Sequence, residues 1–123
     1  MPTTETMERF IARVEQGFHA EAIAAFYRED GAIRENQSAP RVGRDQLVAH
    51  ERSVLARARS VATTCVRPYF INGSVAVVRW IFEFEWLDGT HTRMEELAYQ
   101  TWDGERIVQE QFFYDPAQLK PRT

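Results

Sequence analysis

The stretch NGSVAVVRWIFEFEWLDGTHTRMEELAYQTWDGERIVQEQFFYD, residues 72–115, decides the fold. It contains three tight-turn dipeptides, Asn72-Gly73, Asp88-Gly89 and Asp103-Gly104. Each can supply the positive φ angles of a short hairpin loop. The segments between them are rich in β-branched and aromatic residues, which suit a pleated, half-buried surface. With the preceding run they predict four strands, Val61–Ile71, Val75–Leu87, Thr90–Trp102 and Glu105–Asp115. Consecutive hairpins make these an antiparallel meander. The strands are roughly twice the usual 5–6 residues, and sheets of long strands twist and curl.

Upstream the apolar period changes from two to that of a helix. Met7, Phe10, Ile11, Val14 and Phe18 fall at i, i+3, i+4, i+7 and i+11, one face of an amphipathic helix. Gly17 ends or bends it. A second helix is expected from about Ala20 to Glu29, burying Ala22, Ile23 and Phe26, with Gly31 as a left-handed cap. Ala32 to Asn36 reads as a short strand and Gln37 to Gly43 as a loop. A third helix is expected from Arg44 or Asp45 to Arg59, with Leu47, Val54, Leu55 and Ala58 as its apolar stripe.

The 123 residues fit a single domain, 1–123, able to bury one core without disulfides or a structural metal. The formal charge of -3 and the scattered basic residues give no footprint for nucleic acid. Cys65, the only cysteine, excludes an internal disulfide and any cysteine-based metal motif, and suggests a reduced compartment. Met1 to Glu8 is polar, without an apolar signal core, and no run approaches the ~18 apolar residues of a membrane span. The expectation is a cytoplasmic protein with no membrane contact.

Three motifs carry a family resemblance. Phe26-Tyr27-Arg28-Glu29-Asp30-Gly31-Ala32-Ile33 is similar to an F-Y-x-x-D-A-x-[VI] segment. Arg41-Val42-Gly43-Arg44-Asp45-Gln46-Leu47 is similar to an x-G-x-[DE]-x-[IL] start of a third helix. Arg106-Ile107-Val108 through Tyr114-Asp115 is similar to a [KR]-I-x-E-x-[WF]-x-x-x-D last strand. At these separations, and with this order of elements, the chain resembles the SnoaL-like branch of the nuclear transport factor 2-like superfamily. The resemblance implies an α+β fold with three helices packed on the concave face of a curved, mostly antiparallel sheet. That architecture is a cone-shaped α+β barrel with an internal pocket.

The same resemblance implies a pocket for a small molecule, a homodimer formed through the sheet, and no cofactor. Two functions are compatible with it. One is general acid–base chemistry of the isomerase or cyclase kind on an apolar cyclic or carbonyl-bearing compound. The other is a non-catalytic homodimeric module that binds a ligand or protein. The residues of ketosteroid isomerases do not carry over. Asn36 stands where those enzymes have an aspartate base, Phe10 where they have a tyrosine, and Ala98 at or near their second aspartic acid. Compared with SnoaL-like cyclases, Asp115 matches the aspartate after the last strand, and Glu110 replaces a histidine often found there.

Strand alternation then nominates residues. Val108, Glu110, Phe112 and Tyr114 share one face of the last strand. Met94, Glu96, Ala98, Gln100 and Trp102 share one face of the strand before it. If both faces are concave, burial raises the pKa values of Glu96 and Glu110 and poises one as acid or base. The alternative is a bulge that turns one strand outward, or a pairing arginine. The candidate catalytic set is Glu96, Glu110 and Asp115. The candidate ligand-binding set is Phe26, Asn36, His50, Glu51, Trp80, Met94, Phe112 and Tyr114, with no metal site. His50 and Glu51 qualify because they interrupt the third helix's apolar stripe, where a polar group needs a partner. The direction of Trp80 is open. Ala76, Val78, Trp80, Phe82, Phe84 and Trp86 share one face of the second meander strand, and hydrophobicity turns that face inward, whereas register with the isomerases turns it outward. Outward, it would be a patch for sheet-to-sheet dimerisation.

Overall fold

Thr3 begins the first helix by accepting the N–H of Thr6 on its hydroxyl, at 3.1 Å. In the computed structural model, which describes residues 1–123, this helix is α1 (Thr4–Glu15). It is followed by α2 (His19–Phe26), β1 (Tyr27–Glu35), β2 (Arg41–Val42) and α3 (Arg44–Leu55). Then come β3 (Ala58–Asn72), β4 (Val75–Trp86), β5 (His91–Asp103) and β6 (Arg106–Phe113), and a short 3-10 helix, Pro116–Leu119. Met7, Phe10, Ile11 and Val14 are the buried face of α1, as their spacing requires.

The strands form one sheet in the order β2-β1-β6-β5-β4-β3. The meander is present, and all three glycines of its turn dipeptides have positive φ. The first strand adds to it in parallel beside β6, so the expected four-stranded core is extended to six strands. β2 and β3 are free edges, which makes the sheet an open cone and not a closed barrel. Met7, Phe10, Ile11, Ile23 and Leu47 from the helices meet Ala76, Val78, Trp80, Met94, Ala98, Trp102 and Ile107 from the sheet in a single core.

Several expectations need correction. α2 ends at Phe26, and Gly31 is a strand residue whose φ is not left-handed. β1 makes an excursion there: Tyr27 pairs with Ile107, and the next pairing is Ala32 with Gln109. An ion pair of Arg28 with Asp30 and Asp103 fixes the excursion. The loop before α3 contains the short strand β2, and α3 stops at Leu55, so that Ala58 and Arg59 begin β3. On β6 the register shifts between the Thr101–Gln109 and Trp102–Ile107 pairs. One extra residue there puts Ile107 inward with Glu110, whereas strict alternation had placed Val108 on that face. On β4 the aromatic face turns toward the helices, with Trp80 and Phe82 buried and Phe84 and Trp86 half-buried, and Arg79, Glu83 and Glu85 are exposed on the other. Hydrophobicity therefore decides the direction of Trp80, and the aromatic stripe is not the dimerisation patch.

β6 ends at Phe113 and leaves residues 91–96 of β5 without a strand neighbour on that side. The C-terminal segment takes its place. Gln118 accepts the N–H of Glu95 on Oε1 at 2.7 Å and donates Nε2 to the Glu95 carbonyl at 3.2 Å. Arg122 then exchanges two backbone hydrogen bonds with His91.

A Cβ at position 31 would lie 2.9 Å from the Arg28 carbonyl and 3.4 Å from that of Ile107, both backbone atoms. Replacement Gly31→Ala should therefore cost about 1–3 kcal/mol in urea unfolding, the usual range for overpacking. A loss below ~0.5 kcal/mol, the scatter of neutral surface changes, would show that the excursion yields freely.

Candidate functional site

Three helices cannot fill the hollow of so long a sheet. A cavity of about 720 Å³ remains between β4, β5, β6 and the helices, within the size range of ligand pockets. One wall is the aromatic face of β4. Trp80, Phe82, Phe84 and Trp86 follow one another with ring centroids 5.8, 6.4 and 4.8 Å apart, the last pair parallel to within 2°. The facing wall carries His19, His50, Glu51 and Val54 from α2 and α3. Trp86, Leu87, Leu119 and Pro121 stand at the end where α3 and the C-terminal segment meet the β4–β5 hairpin. Leu87 and Leu119 are exposed there, at 59% and 53%.

The inner end is built around Glu110. Its carboxyl accepts the hydroxyl of Tyr27 on Oε1 and the side-chain amide of Gln100 on Oε2, the latter at 2.7 Å. The Gln100 oxygen in turn accepts Trp102 Nε1 at 3.1 Å. Burial pushes the Glu110 carboxyl up to about 7, and the donors from Tyr27 and Gln100 hold it from rising further. The group is thus a satisfied carboxylate close to its titration point.

Glu96 is different. It faces Trp80 across the β4–β5 ladder, on the inner face between Met94 and Ala98. Burial, first, and then the charges of Glu35, Glu110 and Glu51 raise its carboxyl to about 8. No hydrogen bond or cation acts against that rise. It is therefore a protonated acid at neutral pH, with its O–H free to serve a ligand. Glu110 pairs with Gln100, four residues further along β5, so about 13 Å of strand separates the two glutamates' backbone positions. Ala98 and Phe112 lie between. The two carboxyls thus start from different points along the sheet, and the charge of Glu110 still acts on Glu96.

Two further clusters border the cavity. At one, Glu35 accepts the Tyr114 hydroxyl at 2.7 Å and Nη1 of Arg41 at 3.0 Å. At the other, His19 lies with Nε2 2.8 Å from the Thr63 hydroxyl and Nδ1 3.4 Å from Glu51 Oε1. The ring meets Phe82 edge-on at 5.5 Å.

Of the residues nominated from sequence, Glu96, Glu110, His50, Glu51, Trp80, Met94 and Phe112 line the cavity. Phe26, Asn36, Tyr114 and Asp115 do not. Phe26 packs edge-on against Phe10. Asn36 has a positive φ of 49° and accepts the N–H of Tyr114 on its side chain at 3.0 Å, so it fastens a corner. Asp115 is exposed and caps the 3-10 helix through the N–H of Ala117. Sequence reasoning missed His19, Tyr27 and Arg41. His19 is four residues before Ile23 on α2, and that spacing was the available signal. Tyr27 and Arg41 reach the cavity only through the sheet order, which no local pattern reveals. No three His, Cys, Asp or Glu side chains converge as metal ligands.

No protein-family model and no curated protein matches the sequence. Solved structures do. A hypothetical protein with a ketosteroid isomerase-like fold from Catenulispora acidiphila, in complex with trimethylamine, superposes with a TM-score of 0.78 at 18% identity, over 94% of this chain and 89% of that one. A candidate SnoaL-like polyketide cyclase from Mesorhizobium loti gives 0.76 at 20% identity, over 93% and 100%. A nuclear transport factor 2-like protein of unknown function from Burkholderia pseudomallei gives 0.77 at 14%, over 95% of both. The chain has the α+β cone fold that these ketosteroid isomerase-like, SnoaL-like and nuclear transport factor 2-like structures share.

Proposed function

We propose that the cavity binds a small apolar cyclic or carbonyl-bearing molecule and that Glu96 exchanges a proton with it. The observation that carries this reading is an unpartnered, half-buried carboxyl beside an aromatic wall, raised to about 8. Such a group donates a proton or hydrogen bond at neutral pH, as a general acid does. Glu110, with its two donors, is the carboxylate that accepts one elsewhere on the same ligand. The trimethylamine held by the Catenulispora acidiphila protein is in keeping with small-molecule binding in this fold. No helix is long and apolar enough to cross a membrane, and a buried free Cys65 fits the reducing cytoplasm in which we place the protein.

A second reading has its own observation. On the outer face of the sheet, Phe70, Leu97, Tyr99 and Phe113 are 65%, 47%, 47% and 38% exposed. Leu97 and Phe113 are cross-strand partners, and Phe70 and Tyr99 both pair with Val77, which makes the patch continuous. We take it as the homodimer surface, and it serves a passive binding module as well as an enzyme.

Thermal stability against a panel of steroid-like, terpene-like and polyketide-like compounds tests the first reading. A ligand at ~100 times its dissociation constant adds about 2.7 kcal/mol. With that ligand, Glu96→Gln should keep affinity within about tenfold while any turnover falls by roughly 10²-fold or more. Turnover that survives in this variant removes Glu96 from the chemistry, and a panel without any shift removes the ligand.

The sign of the pH effect is also fixed. A folded-state value above the unfolded one stabilises the protein below about pH 4.5 and loses that contribution as pH rises through about 8. Glu96→Gln should therefore gain in melting temperature over the natural protein between pH 5 and pH 9. Parallel melting curves across that interval would mean that Glu96 is ionised in the fold.

Sedimentation tests the patch. The protein should be a dimer at low micromolar concentration, and Leu97→Asp should raise the dissociation constant at least tenfold by placing a charge in the apolar centre. Unchanged mass in this variant would put the interface elsewhere.

A further inference from the structure

Of the two arginines that line the cavity, Arg41 is paired with Glu35, whereas Arg57 has no carboxylate in ion-pair reach. The backbone of Arg57 is fixed on both sides. Its N–H donates to the Val54 carbonyl at 3.1 Å, and its carbonyl accepts the N–H of Leu87 at 2.9 Å. These bonds tie the end of α3 to the β4–β5 hairpin and put Arg57 at the mouth of the cavity, with Val54, Ala56 and Leu87. The side chain is placed as well. Its guanidinium carbon lies 5.7 Å from the centre of the Trp86 ring. Trp86 is itself held, by Nε1 donating to the Thr92 hydroxyl at 2.8 Å and by parallel stacking on Phe84. A guanidinium stacked on a ring keeps its N–H edge for hydrogen bonding. Arg57 is exposed, so that edge is open to a ligand in the mouth.

The charges around the cavity decide which ligand group can use it. Asp88, the carboxylate at the same end, accepts the N–H and the hydroxyl of Thr90 at 2.9 and 2.6 Å and is thereby turned into its own hairpin. Further in stand Glu51, Glu96 and Glu110, and the remaining arginine, Arg41, is neutralised by Glu35. An anion there would meet the like charges that already raise the Glu96 carboxyl. The mouth is therefore the part of the cavity suited to a negative group, and one guanidinium fork matches one carboxylate. Trp86 stands six residues beyond Trp80, the cross-strand partner of Glu96, so about 20 Å of strand runs from the mouth to the level of that acid. Several fused rings on a short acid chain suit such a length.

We propose that Arg57, stacked on Trp86, binds a carboxylate of the ligand at the mouth, so that the cavity takes ring compounds with an acidic side chain and orients them acid outward. The inference rests on the reading of the cavity as a small-molecule site and adds a residue that sets ligand class and direction. The neutral end of the ring system is then the end presented to Glu96. Proton exchange with that carboxyl takes place there, remote from the ligand's own acid.

Naphthaleneacetic, pyrenebutyric and lithocholic acids, of increasing length, test it, each beside its primary amide, which keeps the body and loses the charge. Calorimetry gives the affinities. The best-fitting acid should bind at least about tenfold tighter than its amide, the worth of a hydrogen bond to a charged group. That advantage should shrink as salt is raised. Arg57→Met, which keeps a long side chain beside Trp86, should abolish it. Carbon-13 at the ligand carboxyl gives the direction of binding. Beside Arg57 the bound acid titrates below its value in water, whereas among the inner carboxyls it titrates above it. Equal affinity for acid and amide overturns the inference and leaves the pocket standing. So does a bound acid that titrates above its free value, or an advantage that survives in Arg57→Met. The titration is made on the natural protein, so a misfolded variant leaves it decisive. If none of the six compounds binds, the small-molecule reading falls as well.

Discussion

A buried carboxyl with two donors is the interaction on which the inner end of this protein depends. Glu110 comes from β6, Tyr27 from the first residue of β1, and Gln100 from β5. A strand from the first half of the chain is thereby joined to the last two at one polar point inside an apolar core. An unsatisfied carboxylate there would cost several kcal/mol, and the donors reduce that cost without removing it. The cavity begins where this network ends. Beyond it, the sheet curves away from the helices and no side chain is long enough to close the gap.

The two glutamates show how one sheet face produces two kinds of acid. Glu96, half-buried, and Glu110, fully buried, line the same cavity from neighbouring strands. The difference lies in their partners. Donors draw Glu110 down to about 7, whereas Glu96 meets only apolar surface and like charges and stands at about 8. Environment, and not residue type, separates the carboxylate from the acid. The same principle applies to Arg41, whose charge is satisfied by Glu35 while its Nε remains free.

The architecture was legible in the sequence because its signals are local. Asn72-Gly73, Asp88-Gly89 and Asp103-Gly104 each fix a hairpin within a few residues, and alternation then places Met94, Glu96, Ala98 and Gln100 together on one face. The same alternation failed at Val108, because a bulge inserts a residue without any change in composition. The helix assigned as far as Glu29 failed for a related reason. Tyr27 and the residues after it follow a helix without a break, and only pairing with Ile107 turns them into strand. Glu96 and Glu110 could be found by parity. His19 offered only its helical spacing from Ile23, and Tyr27 and Arg41 offered nothing local, since both reach the cavity from strands whose position depends on the sheet order.

The substitution of a single side chain for a missing strand has a mechanical result. Gln118 satisfies both backbone groups of Glu95, the residue next to the acid, and the same short segment carries Leu119 and Pro121 at the rim of the cavity. The rim of the opening and the strand that carries Glu96 are consequently held by one segment, through two hydrogen bonds of a single glutamine.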